Sequence, residues 1–204
     1  MKLIDAYAKI KDLNIKFFYT NDISTYLKIE PSHASKVLKR LEESKLLINL
    51  SRGLWIFANS VDRLTLPSIL TSPFPTYISL QTALYYHGMI SQIPDTIYAV
   101  SLARTHLFKT VCGAVSIHHI QTDFFFGFEN TENSLIKMAT PEKALIDYLY
   151  LADTKSKLFT ALPEIELTKK FTLSKAKKII DKIPSLRKRT LVKSQLGRLQ
   201  ELLE

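Results

Sequence analysis

Leu3, Ile4, Tyr7, Ala8 and Ile10 recur at helical spacing, so residues 2–13 are predicted to form an amphipathic first helix. Asn21 is a favourable N-cap for a short second helix carrying Ile23, Tyr26 and Leu27. Pro31 suits the first turn of a third helix, where its missing N–H costs nothing. From there Ala34, Val37, Leu38 and Leu41 share one face, and Ser32, His33, Ser35, Lys36, Lys39 and Arg40 occupy the other. Leu46–Leu50 and Leu54–Phe57 read as two strands around Ser51-Arg52-Gly53, whose glycine supplies the positive φ that a tight turn requires. Two short helices joined by a tight turn, then a β-hairpin, predict a winged helix-turn-helix over residues 1–62.

Such a helix fits the DNA major groove with its N-terminal residues nearest the base edges. Ser32, His33 and Ser35 stand there and can hydrogen-bond to bases or phosphates. Lys36, Lys39 and Arg40 lie one to two turns further on and are expected mainly on phosphates; Arg40 alone has the planar fork that matches guanine. Arg52, at the hairpin tip, is placed for a neighbouring minor groove or the backbone. Against this stand Glu30, which repels phosphate unless it caps the helix, and Glu42 and Glu43 near the helix end. An exposed basic face that only confers solubility, on a module that contacts protein, is the competing reading.

Leu66-Pro67, Ser72-Pro73 and Phe74-Pro75 punctuate residues 63–76, which read as a linker. Residues 77–153 predict a mixed α+β domain. Ser79 is expected to cap a helix through Ala83, Leu84 and Tyr85 that Gly88 ends. Strands are expected at 96–100, 114–118, 124–128 and 135–138, and Thr140-Pro141-Glu142 opens another helix. In residues 154–204, Ser174 begins a helix with Ala176, Ile179, Ile180 and Ile183 inward. Pro184 breaks it, and Ser185 caps a last helix with Val192, Leu196, Leu199 and Leu203 as its stripe. The fold class is therefore α+β: a winged head, a mixed second domain, and basic C-terminal helices packed on that domain.

Charge sharpens this picture. The net charge is +9, but residues 1–60 hold ten Lys and Arg against six acids, residues 61–153 five against eight, and residues 154–204 thirteen against five. Basic ends attract polyanions, of which nucleic acid is the commonest. The outer cations of residues 154–204 suit a wider DNA footprint, RNA or an acidic protein surface alike; a membrane surface is disfavoured because the apolar stripes lack aromatic anchors. No run of eighteen apolar residues occurs and the N-terminus lacks a signal-peptide pattern. Cys112 is the lone cysteine. Together these features place the chain in a reducing cytoplasm, with no disulfide and no multi-thiolate zinc site.

Catalytic chemistry is not evident. The five glycines are isolated, so no glycine loop can cradle phosphate. His118 and His119, adjacent on a strand, face opposite ways, and His87 and His106 have no acidic or cysteine partner at metal-ligand spacing. Asp147 lies in an apolar helical run with Lys143 four residues earlier, which reads as a buried structural pair. Cys112 has no activating partner in sequence and reads as inert. No metal, cofactor or catalytic residue is expected.

Tyr77-Ile78-Ser79, then Ala83-Leu84-Tyr85-Tyr86-His87-Gly88-Met89-Ile90, Arg104, His119-Ile120, Phe126-Gly127-Phe128 and Ala139-Thr140-Pro141-Glu142-Lys143-Ala144-Leu145-Ile146-Asp147 resemble the AbiEi family of type IV antitoxins. The resemblance covers roughly residues 1–153. Its most specific parts are the Ala-Leu-x-x-His-Gly and Pro-Glu-Lys-Ala-Leu-x-Asp segments. It implies an autorepressor that binds inverted repeats in its own promoter. It also implies an antitoxin that counters a nucleotidyltransferase-like toxin without a stable complex. The single cation of the hairpin turn, Arg52, departs from a strongly basic wing. Two other readings are a transcription factor whose second domain senses a ligand or protein, and an enzyme acting on nucleic acid or toxin. The enzyme needs His87, His106, His118, Asp123 and Asp147 to converge.

Overall fold

A computed structural model describes residues 2–133, 135–152 and 164–203. The chain is α+β and divides into two units, Met1–Arg63 with Lys109–Gly113, and Leu64–Phe108 with Ala114–Glu204. No helix among the described residues is long and apolar enough to cross a membrane.

In the first unit, α1 (Leu3–Asp12), α2 (Thr20–Leu27) and α3 (Pro31–Glu43) enclose one core with a three-stranded antiparallel sheet. The strands are β1 (Phe17–Tyr19), β2 (Leu47–Ser51) and β3 (Leu54–Phe57), in the order β1-β3-β2. The apolar spacing of α3 does what it predicts: Ala34, Val37, Leu38 and Leu41 are buried, the last three against Ile10, Phe18, Ile23 and Leu47. Three residues join α2 to α3. Lys28 takes a left-handed φ of 52° as its N–H closes on the end of α2, and the Ser24 hydroxyl donates to the Ile29 carbonyl at 2.7 Å. Asn21 does not cap α2. The helix starts two residues earlier than that cap implies, with Tyr19 at the N-cap, and the Tyr19 N–H donates to the Asp22 carboxylate at 2.8 Å.

The second unit is built on a six-stranded mixed sheet. Its strands are β4 (Thr76–Ile78), β5 (Ile97–Ser101), β6 (His106–Thr110), β7 (Gly113–His119), β8 (Phe128–Asn130) and β9 (Lys137–Ala139), in the order β6-β7-β5-β4-β9-β8. β5 and β7, and β4 and β9, run parallel; β4 and β5, and β8 and β9, run antiparallel. The helices are α4 (Leu66–Thr71), α5 (Leu80–Tyr86), α6 (Pro141–Ala152), α7 (Leu173–Asp181) and α8 (Leu186–Leu203). α6 is the central element: nearly every residue of it is buried, and α5, α7 and α8 pack around it.

Four further expectations need correction. Residues 63–76 are not a linker, because Leu66–Thr71 form α4 with Leu66, Pro67 and Ile69 buried beside β4; Pro67 sits in the first turn, where proline is tolerated. Phe124–Phe128 is not a strand. Thr122–Phe124 turn in a 3-10 helix, and pairing begins only at Phe128. The strand expected at 135–138 lies at Lys137–Ala139. Finally, Ser79 precedes α5 without capping it, its hydroxyl being taken elsewhere, while Gly88 (φ 69°) does end α5. There the Met89 N–H reaches the Leu84 carbonyl and the Gly88 N–H reaches Tyr85, the paired bonds of a glycine-terminated helix.

Within the C-terminal segment, residues 154–163 and the Leu203 side chain lie outside the described residues. Ala176, Ile180, Ile183, Val192 and Leu196 are buried in the core of the second unit, with Ile179 and Leu199 half-buried beside them. The hairpin of α7 and α8 is tied by Arg189, which donates twice to the Ile183 carbonyl, at 2.8 and 3.1 Å.

Candidate nucleic-acid interface

The core stripe of α3 leaves its opposite face in solvent. Ser32, His33, Ser35, Lys36, Lys39 and Arg40 are all exposed, as is Arg52 at the β2–β3 turn. Among the described residues, no ion pair or hydrogen bond engages any of the seven side chains. Ser32 to Arg40 spans about 12 Å of helix at 1.5 Å per residue, two turns of polar and cationic side chains.

The acids that opposed this reading separate on inspection. Glu42 is half-buried and turned to the sheet, its carboxylate accepting the Asn49 N–H at 3.4 Å, so its charge is directed away from the exposed face. Glu30 is exposed at the start of α3 and makes no capping bond through its side chain. It remains a repulsive neighbour for phosphate.

A groove of about 590 Å³ runs beside the N-terminus of α3. Ser32, Ser35 and Arg52 line it, joined by Tyr19 at the end of β1, Thr20 and Asn21 at the start of α2, and Trp55. Tyr19 and Thr20 escape sequence reasoning because they lie at the end of β1 and its junction with α2. β1 is three residues long and pairs with β3 from across the unit, Phe17 with Ile56 and Tyr19 with Leu54. The one local signal was the aromatic run Phe17-Phe18-Tyr19 ahead of a helix start.

In the second unit Tyr77, Ser79, Lys143 and Asp147 meet in one buried node. The Lys143 ammonium donates to Asp147 Oδ1 at 2.6 Å and to the Phe124 carbonyl at 3.0 Å, and sits 3.6 Å from the centre of the Phe124 ring. Asp147 Oδ2 accepts from the Tyr77 hydroxyl at 2.9 Å and from Ser79 at 2.8 Å. Gly127, at φ +79°, lies so near Lys143 that an added Cβ would stand 3.0 Å from its Cγ. All four polar side chains are buried, so the node binds β4, the 3-10 turn and α6 together and presents nothing to a substrate. Burial pushes the Asp147 carboxyl up and the Lys143 ammonium down, each against the opposing pull of its partner.

The histidines do not converge. His87 Nε2 meets the Ala139 carbonyl at 2.7 Å, His118 Nε2 meets the Ser116 hydroxyl at 3.0 Å, and the exposed His119 reaches the Ala103 carbonyl through Nδ1 at 3.2 Å. His106 packs on Phe108 and Asp123 is exposed. No group of three or more His, Cys, Asp or Glu able to hold a metal occurs among the described residues. Burial lowers His118 from 6.5 to about 4. Unfolded, this histidine takes its proton near 6.5; folded, it stays neutral down to about 4. The unfolded state therefore binds more protons within that window, and stability falls as pH drops through it, by on the order of 3 kcal/mol. Urea unfolding at neutral pH and at pH 4 should show this loss and show it reduced in His118→Asn; an equal loss in both proteins refutes it.

No family model matches the chain, and no curated protein matches it. A solution structure of the antibiotic-resistance factor ANT(2'')-Ia is similar to 69% of this chain over 91% of its own, at 11% sequence identity and a TM-score of 0.33. A likeness that distant carries no functional argument.

Proposed function

We propose that residues 1–62 act as a winged helix-turn-helix that binds double-stranded DNA, with α3 in the major groove and the β2–β3 turn as the wing. The observation that carries this reading is the exposed face from Ser32 to Arg40, two turns long, bearing three cations on a helix whose other side is core. Ser32, His33 and Ser35 then stand nearest the bases, Lys36, Lys39 and Arg40 mostly on phosphates, and Arg52 beside the adjoining backbone or minor groove.

On the resemblance to AbiEi antitoxins, the chain represses its own promoter at inverted repeats and neutralises a nucleotidyltransferase-like toxin without forming a stable complex. The shared segments support this in a particular way. Tyr77, Ser79, Gly127, Lys143 and Asp147 all belong to them, and all meet at the buried node. Residues that build a core mark a fold, so they carry the architecture rather than the antitoxin surface. In this reading the chain is a cytoplasmic regulator, is not an enzyme and needs no cofactor.

The test uses the full chain. Titrated onto a duplex from its own upstream region, it binds with a log K that falls linearly with log salt, at a slope of about −3.6 if Lys36, Lys39, Arg40 and Arg52 each neutralise one phosphate. Absence of binding at low salt overturns the DNA reading. Co-expression with the product of the neighbouring gene tests the antitoxin part: rescue of growth is expected, and unrelieved toxicity removes it.

A further inference from the structure

We propose that Thr20 is a positioning residue that clamps the β2–β3 turn to the start of α2 and thereby fixes Arg52 against the groove beside α3. The inference rests on the DNA-binding reading above. Thr20 lies where β1 passes into α2, one residue beyond the Tyr19–Leu54 pair. Its N–H donates to the Gly53 carbonyl at 2.9 Å, and its hydroxyl approaches the same carbonyl at 3.4 Å. That hydroxyl also accepts the Trp55 indole N–H at 2.9 Å. One side chain therefore joins the turn glycine, the strand that follows it and the helix start.

Each member has a physical reason to be there. Trp55 is buried, and a buried indole N–H needs an acceptor, which Thr20 provides. Gly53 holds φ +75°, and a Cβ on it would meet Thr20 Oγ1 at an ordinary 3.7 Å, so the backbone conformation demands glycine there and space does not. Arg52 is the one cation of the turn, and it lines the same groove as Ser32 and Ser35. A turn tethered at the residue directly after Arg52, and again at Trp55, limits where the guanidinium can go. A duplex seated on α3 then meets an Arg52 already in place, and less conformational freedom is lost on binding.

The experiment measures binding of the full chain to a fluorescein-labelled random-sequence DNA duplex across a salt series. Thr20→Val keeps the backbone bond and the side-chain shape but removes the hydroxyl; Thr20→Ser keeps it. Thr20→Val is expected to weaken binding about three- to tenfold and flatten the salt slope by about 0.9, as Arg52→Ala does. Thr20→Ser is expected to stay within about twofold of wild type, and the T20V/R52A double variant to bind as R52A does. Should T20V melt below the assay temperature, Trp55→Phe removes the indole donor and is expected to show the same dependence on Arg52. A wild-type salt slope in T20V, or losses that multiply in the double variant, overturns the clamp. The K36A/K39A/R40A variant separates the two claims. If it loses binding while T20V does not, only the positioning role fails; if it binds as wild type, the DNA reading itself fails.

Discussion

Lys143→Met is expected to cost the second unit about 3–5 kcal/mol and to lower its melting temperature by roughly 10 °C. Methionine fills much of the lysine volume among Phe124, Phe126 and Gly127, so packing changes little. What changes is electrostatic. The Asp147 carboxylate, fully buried, loses its counter-charge and keeps only the hydroxyls of Tyr77 and Ser79. Desolvation is the largest influence on both partners, pushing Asp147 up and Lys143 down. The pair therefore owes its persistence to each ion's need for the other, and its net contribution beside an apolar pair is small. Hence the discriminating variant is the double K143M/D147N, which removes the stranded charge while its amide oxygen still accepts from Tyr77 and Ser79, and which is expected to recover part of the loss. Calorimetry of the three proteins decides the matter, and a K143M variant that melts within about 2 °C of wild type would falsify this account.

The second large effect belongs to α3. Converting Lys36, Lys39 and Arg40 together to Ala is expected to weaken duplex binding on the order of a hundredfold near physiological salt and to flatten the salt dependence of log K by about 2.7, at 0.9 per phosphate. The fold should be indifferent, since all three side chains are exposed and surface changes of this kind stay within about 0.5 kcal/mol. Salt dependence is the sharper readout because it counts contacts rather than summing energies. Arg40→Ala alone adds a distinction: a bidentate guanine contact makes the loss depend on operator sequence, by about 1–3 kcal/mol, whereas a phosphate contact weakens all duplexes alike. Gel shifts indistinguishable from wild type in the triple variant remove the repressor reading.

Much of this was legible in the residue pattern, for reasons that also explain the failures. α3 could be read because Pro31 marks its start and thirteen residues keep one apolar stripe, a local signal that tertiary packing only ratifies. The Lys143–Asp147 pair was legible for the same reason: spacing of four on a helix puts both on one face. β1 was not, because three residues carry no period and owe their conformation to β3. Ser79 misled as a cap, since a hydroxyl before a helix is ambiguous until a buried carboxylate from sixty-eight residues away claims it. The prolines of residues 63–76 suggested a linker, but Pro67 lies in the first turn of α4, and Pro75 supplies the carbonyl that Ser101 bonds at 2.8 Å. In the aromatic run Phe124–Phe128, β-propensity yielded to the demand of one ammonium for the Phe124 carbonyl.

The buried ammonium has a kinetic corollary. The node around it draws on a strand, a short turn and a helix, and losing any one of them leaves a charge in the apolar interior short of a partner. Partial openings are thereby penalised as heavily as complete ones. Amide protons of α6 should exchange with solvent only when the whole second unit opens, at rates that track its global unfolding, while those at the tip of the α7–α8 hairpin escape far sooner.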